Sequence, residues 1–259
     1  MPRHCYVLRV FTRDNAGGNH LGVVTDILGL DDHKMQRLAT DLGFSETIFL
    51  SWFEGTMPKA RIFTPAAEIP FAGHPLVGAA WVLLNLSPLD PDWIECAIGP
   101  VGIRQENYTT WVETRADQPV RKMDLDLSGW VSAREIVEVT LPVPYLLVQL
   151  DTPEAVHAAA PGPAADWGEV YLWAWEEHGK SVRSRFFAPT VGVPEDPATG
   201  SAAVALAARM RWAGQMDGEL SIHQGEETGY PSLILLRWDR DKSMIGGSVA
   251  KDEVRFVHI

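Results

Sequence analysis

Two stretches of the chain are apolar on nearly every side, and both begin the same way. In "FAGHPLVGAA" the glycine and histidine at 73 and 74 open a run in which, from Pro75 to Leu86, only Asn85 is polar. In "EDPATGSAAVALAA" Gly200 and Ser201 open a second run, which continues to about Trp212 and stops at Gly214. A helix that is apolar all round has to be buried all round. A chain with two such helices must therefore wrap something around each. Pro75 fits a first helical turn, where its missing N–H costs nothing.

The flanking residues repeat as well. Arg61, Phe63, Pro65 and Pro70 recur as Arg185, Phe187, Pro189 and Pro194, each 124 positions later, and Gly73 and His74 recur as Gly200 and Ser201, 127 positions later. The helix phase continues, with Gly78 against Ala205 and Ala80 against Ala207. So long a spacing is no solenoid period. It predicts two similar domains, each wrapping strands around one buried helix. With 259 residues there is room for both. The polar stretch 117–129, "DQPVRKMDLDLSG", is the best linker. The division falls at 1–117 and 118–259, with a last strand, 253–259, able to pack with either half.

The rest of the chain alternates in type. "CYVLRVF", "LGVV", "SETIFLSWF" and "ARIFTP" read as strands, and so do "WIECAI", "GIRQEN", "TTWVETRA", "PYLLVQL", "EVYLWAWE", "SVRSRFFAP", "ELSIHQG", "SLILLRW" and "VRFVHI". "DDHKMQRLATDLG" is an amphipathic helix with Met35, Leu38, Ala39 and Leu42 on one face and Gly43 as its stop. "TPEAVHAAA" is a short helix. The fold class is mixed α/β.

Composition narrows the function. A net charge of −12 disfavours sequence-independent nucleic-acid binding, which needs Lys and Arg to displace counterions. No apolar run reaches the length of a membrane span. The N-terminus enters a strand directly, so no targeting segment is expected. Two cysteines, Cys5 and Cys96, make a disulfide framework unexpected and suit a reducing cytoplasm. The eight histidines show no HxxxH or HxH spacing and there is no CxxC, so no metal site is predicted. Nucleotide-binding glycine loops are absent too.

Helix N-termini carry unpaired N–H groups and partial positive charge. Were both helix starts to face one cleft, they would grip an anion such as a carboxylate. Taken singly, each glycine is explained by a tight turn, His74 and Ser201 by capping, and Asp196 by a turn between two prolines. Glu46 is less ordinary, an acid in an otherwise apolar strand, although an outward-facing position would also account for it.

Five motifs in order, "GNH", "GFSETIFL", "RIFTPAAEIPFAGHPLVGAA", "PEDPATGSAA" and "QGEETGYPS", resemble those of the phenazine-biosynthesis PhzF-like family. The resemblance covers nearly the whole chain. It implies the diaminopimelate-epimerase-like fold: two pseudo-symmetric domains, each a curled mixed β-sheet around a central helix, with the active site between them. It also implies frequent homodimers and no cofactor. The family's catalytic carboxylate falls on Glu46, and accompanying active-site residues fall on His74, Asp196 and Ser201. Gly73 and Gly200 would place backbone donors, and Asn19 would lie near the substrate. Two positions depart from the pattern. His20 replaces the usual proline after Asn19, and Tyr230 stands where many members have arginine. The amino-acid racemases of this fold place a cysteine at each helix start. Here those positions are His74 and Ser201, which disfavours a two-thiol racemase.

The expected function is a cofactor-independent isomerase moving a proton on a small carboxylate-bearing metabolite, with Glu46 as general acid and base. A shielded carboxyl can hold its proton nearer neutral pH and so serve both roles. Two other readings remain open. One takes Ser201, His74 and Asp196 as a hydrolase triad, against which stands the lack of a G-x-S-x-G elbow. The other is a small-acid binding protein without turnover.

Overall fold

The computed structural model describes residues 3–52, 56–88 and 90–257. Its contacts divide the chain into two compact units. Unit 1 takes residues up to 113 together with those from 246 onward, and unit 2 takes 114–245.

Unit 1 opens with strand β1 (Arg3–Thr12), which pairs antiparallel with β2 (Asn19–Val24). Helix α1 (Asp32–Leu42) then carries the chain to β3 (Glu46–Ser51), which lies parallel to β2. Asp31 caps α1 by accepting from the Lys34 N–H at 2.9 Å, and Gly43 ends it in the left-handed region at φ 69°. Met35, Leu38 and Ala39 are buried against Phe49 and Phe63, as the 3.6-residue period requires. Strand β4 (Lys59–Phe63) pairs antiparallel with β3 and with the two-residue β5 (Glu68–Ile69). Helix α2 (Gly73–Leu86) follows. Strand β6 (Trp93–Cys96) then returns parallel to β4, and β7 (Gly99–Glu106) and β8 (Thr109–Arg115) complete a meander.

Unit 2 repeats that order. A short β9 (Val120–Lys122) precedes β10 (Ala133–Leu141), which pairs antiparallel with β11 (Val143–Leu150). Helix α3 (Pro153–Ala158) leads to β12 (Val170–Glu177), parallel to β11. Strand β13 (Ser181–Ala188) pairs antiparallel with β12 and with β14 (Val193–Asp196). Helix α4 (Gly200–Trp212) precedes β15 (Gly218–Gln224), which is parallel to β13, and β16 (Ser232–Trp238) is antiparallel to β15. The last strand, β17 (Lys242–Val257), crosses from one unit to the other, and its later residues pair antiparallel with β1.

Three expectations change. The stretch 117–129 is not a bare linker: β9 pairs with β10, and Leu127 is buried in the unit 2 core. Strand β10 is not among the predicted strands, because Arg134, Glu135 and Glu138 interrupt its apolar pattern. The closing strand starts at Lys242, earlier than "VRFVHI" suggests. His258 and Ile259, like Phe53 at the end of "SETIFLSWF", lie outside the described residues.

Both apolar runs are buried helices. Ten residues of α2, Gly73 to Ala80 with Val82 and Leu83, are buried, and so are ten of α4, Gly200 to Ala208 with Met210. Helix α2 packs against β1, β2, β3 and β7, and α4 against β9, β10, β11 and β16. Fully burying a side chain such as Leu76 or Leu83 contributes about 1.5–3 kcal/mol. Gly78 is needed for contact with β2, since a Cβ there would lie 2.2 Å from Leu21 Cδ2.

The repeat survives as a matching brace. Arg61 grips Glu68 with two hydrogen bonds, 2.7 and 2.6 Å, and lies over the Phe63 ring. Arg185 grips Glu195 at 2.7 and 2.8 Å and lies over Phe187. In each unit the pair ties the strand before the buried helix to the short strand or turn leading into it.

Candidate active-site residues

In unit 1 three of the singled-out side chains meet. Asn19 begins β2 and is buried, Glu46 begins the neighbouring β3, and His74 is the second residue of α2. The parallel register sets Leu21 opposite Glu46, so the acid emerges at the same end of the sheet as Asn19. Ser45 donates to Asn19 Oδ1 at 3.3 Å, and Asn19 Nδ2 lies 3.4 Å from His74 Nδ1. On the other side of the ring, His74 Nε2 is 3.6 Å from Glu46 Oε2, longer than a hydrogen bond. The Glu46 side chain is 15% exposed and that of His74 3%.

Burial sets the charge of the histidine. It pushes the His74 pKa down to about 3, and a hydrogen bond with the His20 backbone offsets only part of this. The imidazole is thus neutral at physiological pH. The His20 ring stacks on Phe44 with centroids 6.3 Å apart, and burial lowers its pKa too.

In unit 2 Asp196 ends β14, rather than sitting in an exposed turn, and is buried. Thr199 Oγ1 donates to Asp196 Oδ2 at 2.6 Å. Gln224, fully buried at the end of β15, donates to the Asp196 carbonyl at 2.8 Å and accepts from the Thr199 N–H at 3.3 Å. Gly225 lets that strand end press on the loop, since a Cβ there would lie 2.5 Å from the Pro197 carbonyl oxygen. Ser201 is the second residue of α4, and the Tyr145 hydroxyl donates to its Oγ at 2.9 Å.

Neither helix start is capped as the residue types suggest. The N-cap of α2 is Ala72, not His74, and the N-cap of α4 is Thr199, not Ser201; neither makes a side-chain cap bond. Thr199 commits its hydroxyl to Asp196 instead. Gly73 and Gly200 are the first residues of the two helices, where N–H groups have no intrahelical acceptor.

Gln224, Ser45 and Tyr145 are absent from the predicted set. The first two stand inside quoted motifs, "QGEETGYPS" and "GFSETIFL", where their residue types alone suggest only polar surface. Both cysteines are poor thiolates: burial pushes Cys5 up to about 12 and raises Cys96. Among the described residues no cluster of three or more His, Cys, Asp or Glu could hold a metal ion, and no helix is long and apolar enough to cross a membrane. A cavity of about 480 Å³ lies at the far end of β3 from Glu46, lined by Thr25, Leu28, Leu50, Ser51 and Trp52.

The model of the PhzC-PhzF family, "Phenazine biosynthesis-like protein", matches residues 8–251. The chain belongs to this family. The trans-2,3-dihydro-3-hydroxyanthranilate isomerase of Pseudomonas chlororaphis is 31% identical over 257 residues, covering 90% of each chain. A PhzF-family crystal structure from Enterococcus faecalis superposes with a TM-score of 0.85 at 20% identity, covering all of both chains. A hydroxyproline epimerase from Agrobacterium vitis follows at 0.66 and 10% identity, covering 99% of this chain and 92% of its own. Those two show the fold, which is shared by PhzF proteins and epimerases. The curated relatives are named isomerases, and this PhzF-family member is an isomerase.

Proposed function

We propose that this isomerase moves a proton on a small carboxylate-bearing metabolite without a cofactor, with Glu46 as the acid and base. The carrying observation is the Glu46–His74 pair: a carboxyl group largely shielded from water, 3.6 Å from an imidazole that burial keeps neutral. A carboxylate in this setting can take a proton from carbon and return it. One C–H bond breaks, its electron pair enters the unsaturated system of the substrate, and the proton is delivered to another carbon from the same oxygen. The substrate's atoms and charge are unchanged overall.

His74, Asp196 and Ser201 are the groups we assign to orienting the substrate and stabilising charge that develops on it. The uncapped starts of α2 and α4 support binding of a carboxylate, because such amide-rich ends favour anions. Asn19, Gly73 and Gly200 complete the binding set. A Ser-His-Asp hydrolase is less well supported, since the partner of Ser201 Oγ is a phenol, Tyr145, rather than an imidazole.

The first substrate to try is trans-2,3-dihydro-3-hydroxyanthranilate, which the Pseudomonas relatives are named for isomerising. Glu46→Gln keeps the shape of the side chain and removes its basicity. Turnover should fall by about a thousandfold or more, within the range for loss of a general base, while the melting temperature stays within a few degrees. Turnover retained in Glu46→Gln would overturn the assignment.

A further inference from the structure

The two units hide a second acid at the place of Glu46. In unit 1 Thr47 pairs with Phe63; in unit 2 Val170 pairs with Phe187, the repeat partner of Phe63. The residue before Thr47 is Glu46, and the residue before Val170 is Glu169. The parallel neighbours correspond too: Leu21 lies opposite Glu46, and Tyr145 precedes Leu146, which lies opposite Val170 and donates to the Glu169 carbonyl at 2.8 Å. So Glu169 is to Tyr145 what Glu46 is to Leu21. The helix starts correspond as His74 and Ser201.

The chemistry of the two places differs. Glu46 lies beside its helix-start residue, His74, directly. Glu169 shares a hydrogen bond with the Tyr145 hydroxyl, and that hydroxyl reaches Ser201 Oγ at 2.9 Å. A phenol has one hydrogen to donate. When Glu169 is ionised, Tyr145 donates to the carboxylate, and the Ser201 hydrogen turns back onto the phenol oxygen. When Glu169 carries a proton, it donates to Tyr145, Tyr145 donates to Ser201, and the serine hydrogen is released to face outward.

We infer that Glu169 is a positioning residue that sets, through Tyr145, which way the Ser201 hydroxyl donates. A protonated Glu169 offers an anionic ligand a donor at the start of α4, and an ionised one withdraws it. The relay lies wholly in unit 2, and only its catalytic meaning rests on the isomerase reading.

The surroundings suit a group that changes protonation. Burial raises the Glu169 pKa above the usual carboxylate range, and the bond from Tyr145 lowers it by less. Glu169 neighbours Tyr145 on β11, Phe187 on β13 pairs with the next residue, and the β13 arginine, Arg185, is engaged with Glu195.

Tyrosine labelled with carbon-13 at Cζ reads the relay without a substrate. The resonance lost in Tyr145→Phe identifies Tyr145. In the wild type it should shift in a single step as pH is raised, and Glu169→Gln, which cannot ionise, should abolish that step. Ser201→Ala should keep the step and move its midpoint, because one partner of the phenol is gone. A Tyr145 signal that is flat with pH, or one whose step survives in Glu169→Gln, overturns the relay. Neither result depends on Glu46→Gln, so failure of the relay and failure of the isomerase reading are told apart.

Discussion

Unit 1 and unit 2 are built to one plan and differ at a few side chains. Both units present a buried helix whose first turn lacks a side-chain cap, preceded by an arginine–glutamate brace. At the helix start, unit 1 has a histidine beside an acid, and unit 2 has a serine reached through a phenol. Asp196 takes its place opposite Phe186, where unit 1 has Ile69 opposite Ile62. A duplicated backbone thus supplies two anion-friendly helix ends. In the proposed reaction the proton moves in the half where the acid lies beside its helix start, and Asp196 and Ser201 of the other half join His74 in orienting the substrate.

The braces give the largest contrast in stability. The Arg185 side chain is 6% exposed, and it holds Glu195 and the carbonyls of His157 and Ala159 at 3.0 and 2.5 Å. Arg61 is 34% exposed, and its partners Glu68 and Asp32 are 42% and 79% exposed. Arg185→Ala should therefore cost about 3–5 kcal/mol, because a largely shielded acid and the buried Ala159 carbonyl lose their partner. Arg61→Ala should cost about 1 kcal/mol or less. Equal costs in urea melts would show that the two braces are equivalent after all.

The histidine of unit 1 has no titrating counterpart at Ser201, so this source of acid sensitivity belongs to unit 1. The folded pKa of His74 lies below its unfolded value of 6.5, at about 3. The unfolded chain then binds the extra proton first, so this contribution is whole above about 6.5 and is lost as pH falls toward about 3. At about 1.4 kcal/mol per unit it reaches a few kcal/mol. His74→Asn should flatten the acid limb of a stability–pH curve. An unchanged limb would mean that the ring is charged in the fold.

The smallest contrast concerns the helices. Gly78→Ala in α2 should cost about 1–3 kcal/mol, since its Cβ would lie 2.2 Å from Leu21 Cδ2. At the matching place in α4, Ala205→Gly should cost about 1–2 kcal/mol, the lost helix propensity plus a buried methyl. Thermal melts of the two variants would rank them.

The sequence made the buried helices plain because an apolar run longer than a strand has few alternatives, and α2 and α4 lie where the runs predict. The amphipathic α1 was equally legible, with Asp31 and Gly43 marking its ends. Strand β10 was not, because Arg134, Glu135 and Glu138 mask the apolar alternation. The repeat showed at Arg61 and Arg185 but not at Glu46 and Glu169, since the connection back to the acid is one residue longer in unit 2 and breaks the constant spacing. Only strand register restores the match. Capping is hidden for a related reason: residue type offers His74 and Ser201 as caps, whereas the helices start one residue earlier and their N-caps are Ala72 and Thr199. Gln224 was hidden because its contacts with Asp196 and Thr199 depend on β15 ending beside the loop at 196–199.

The central claim is that the acid of unit 1 itself carries the proton. Incubation with trans-2,3-dihydro-3-hydroxyanthranilate in deuterium oxide, followed by mass spectrometry of substrate and product, tests it most directly. The account predicts that the wild type introduces solvent deuterium at carbon, and that Glu46→Gln introduces none while still binding the compound in a calorimeter. Deuterium entering at the wild-type rate in Glu46→Gln would contradict it.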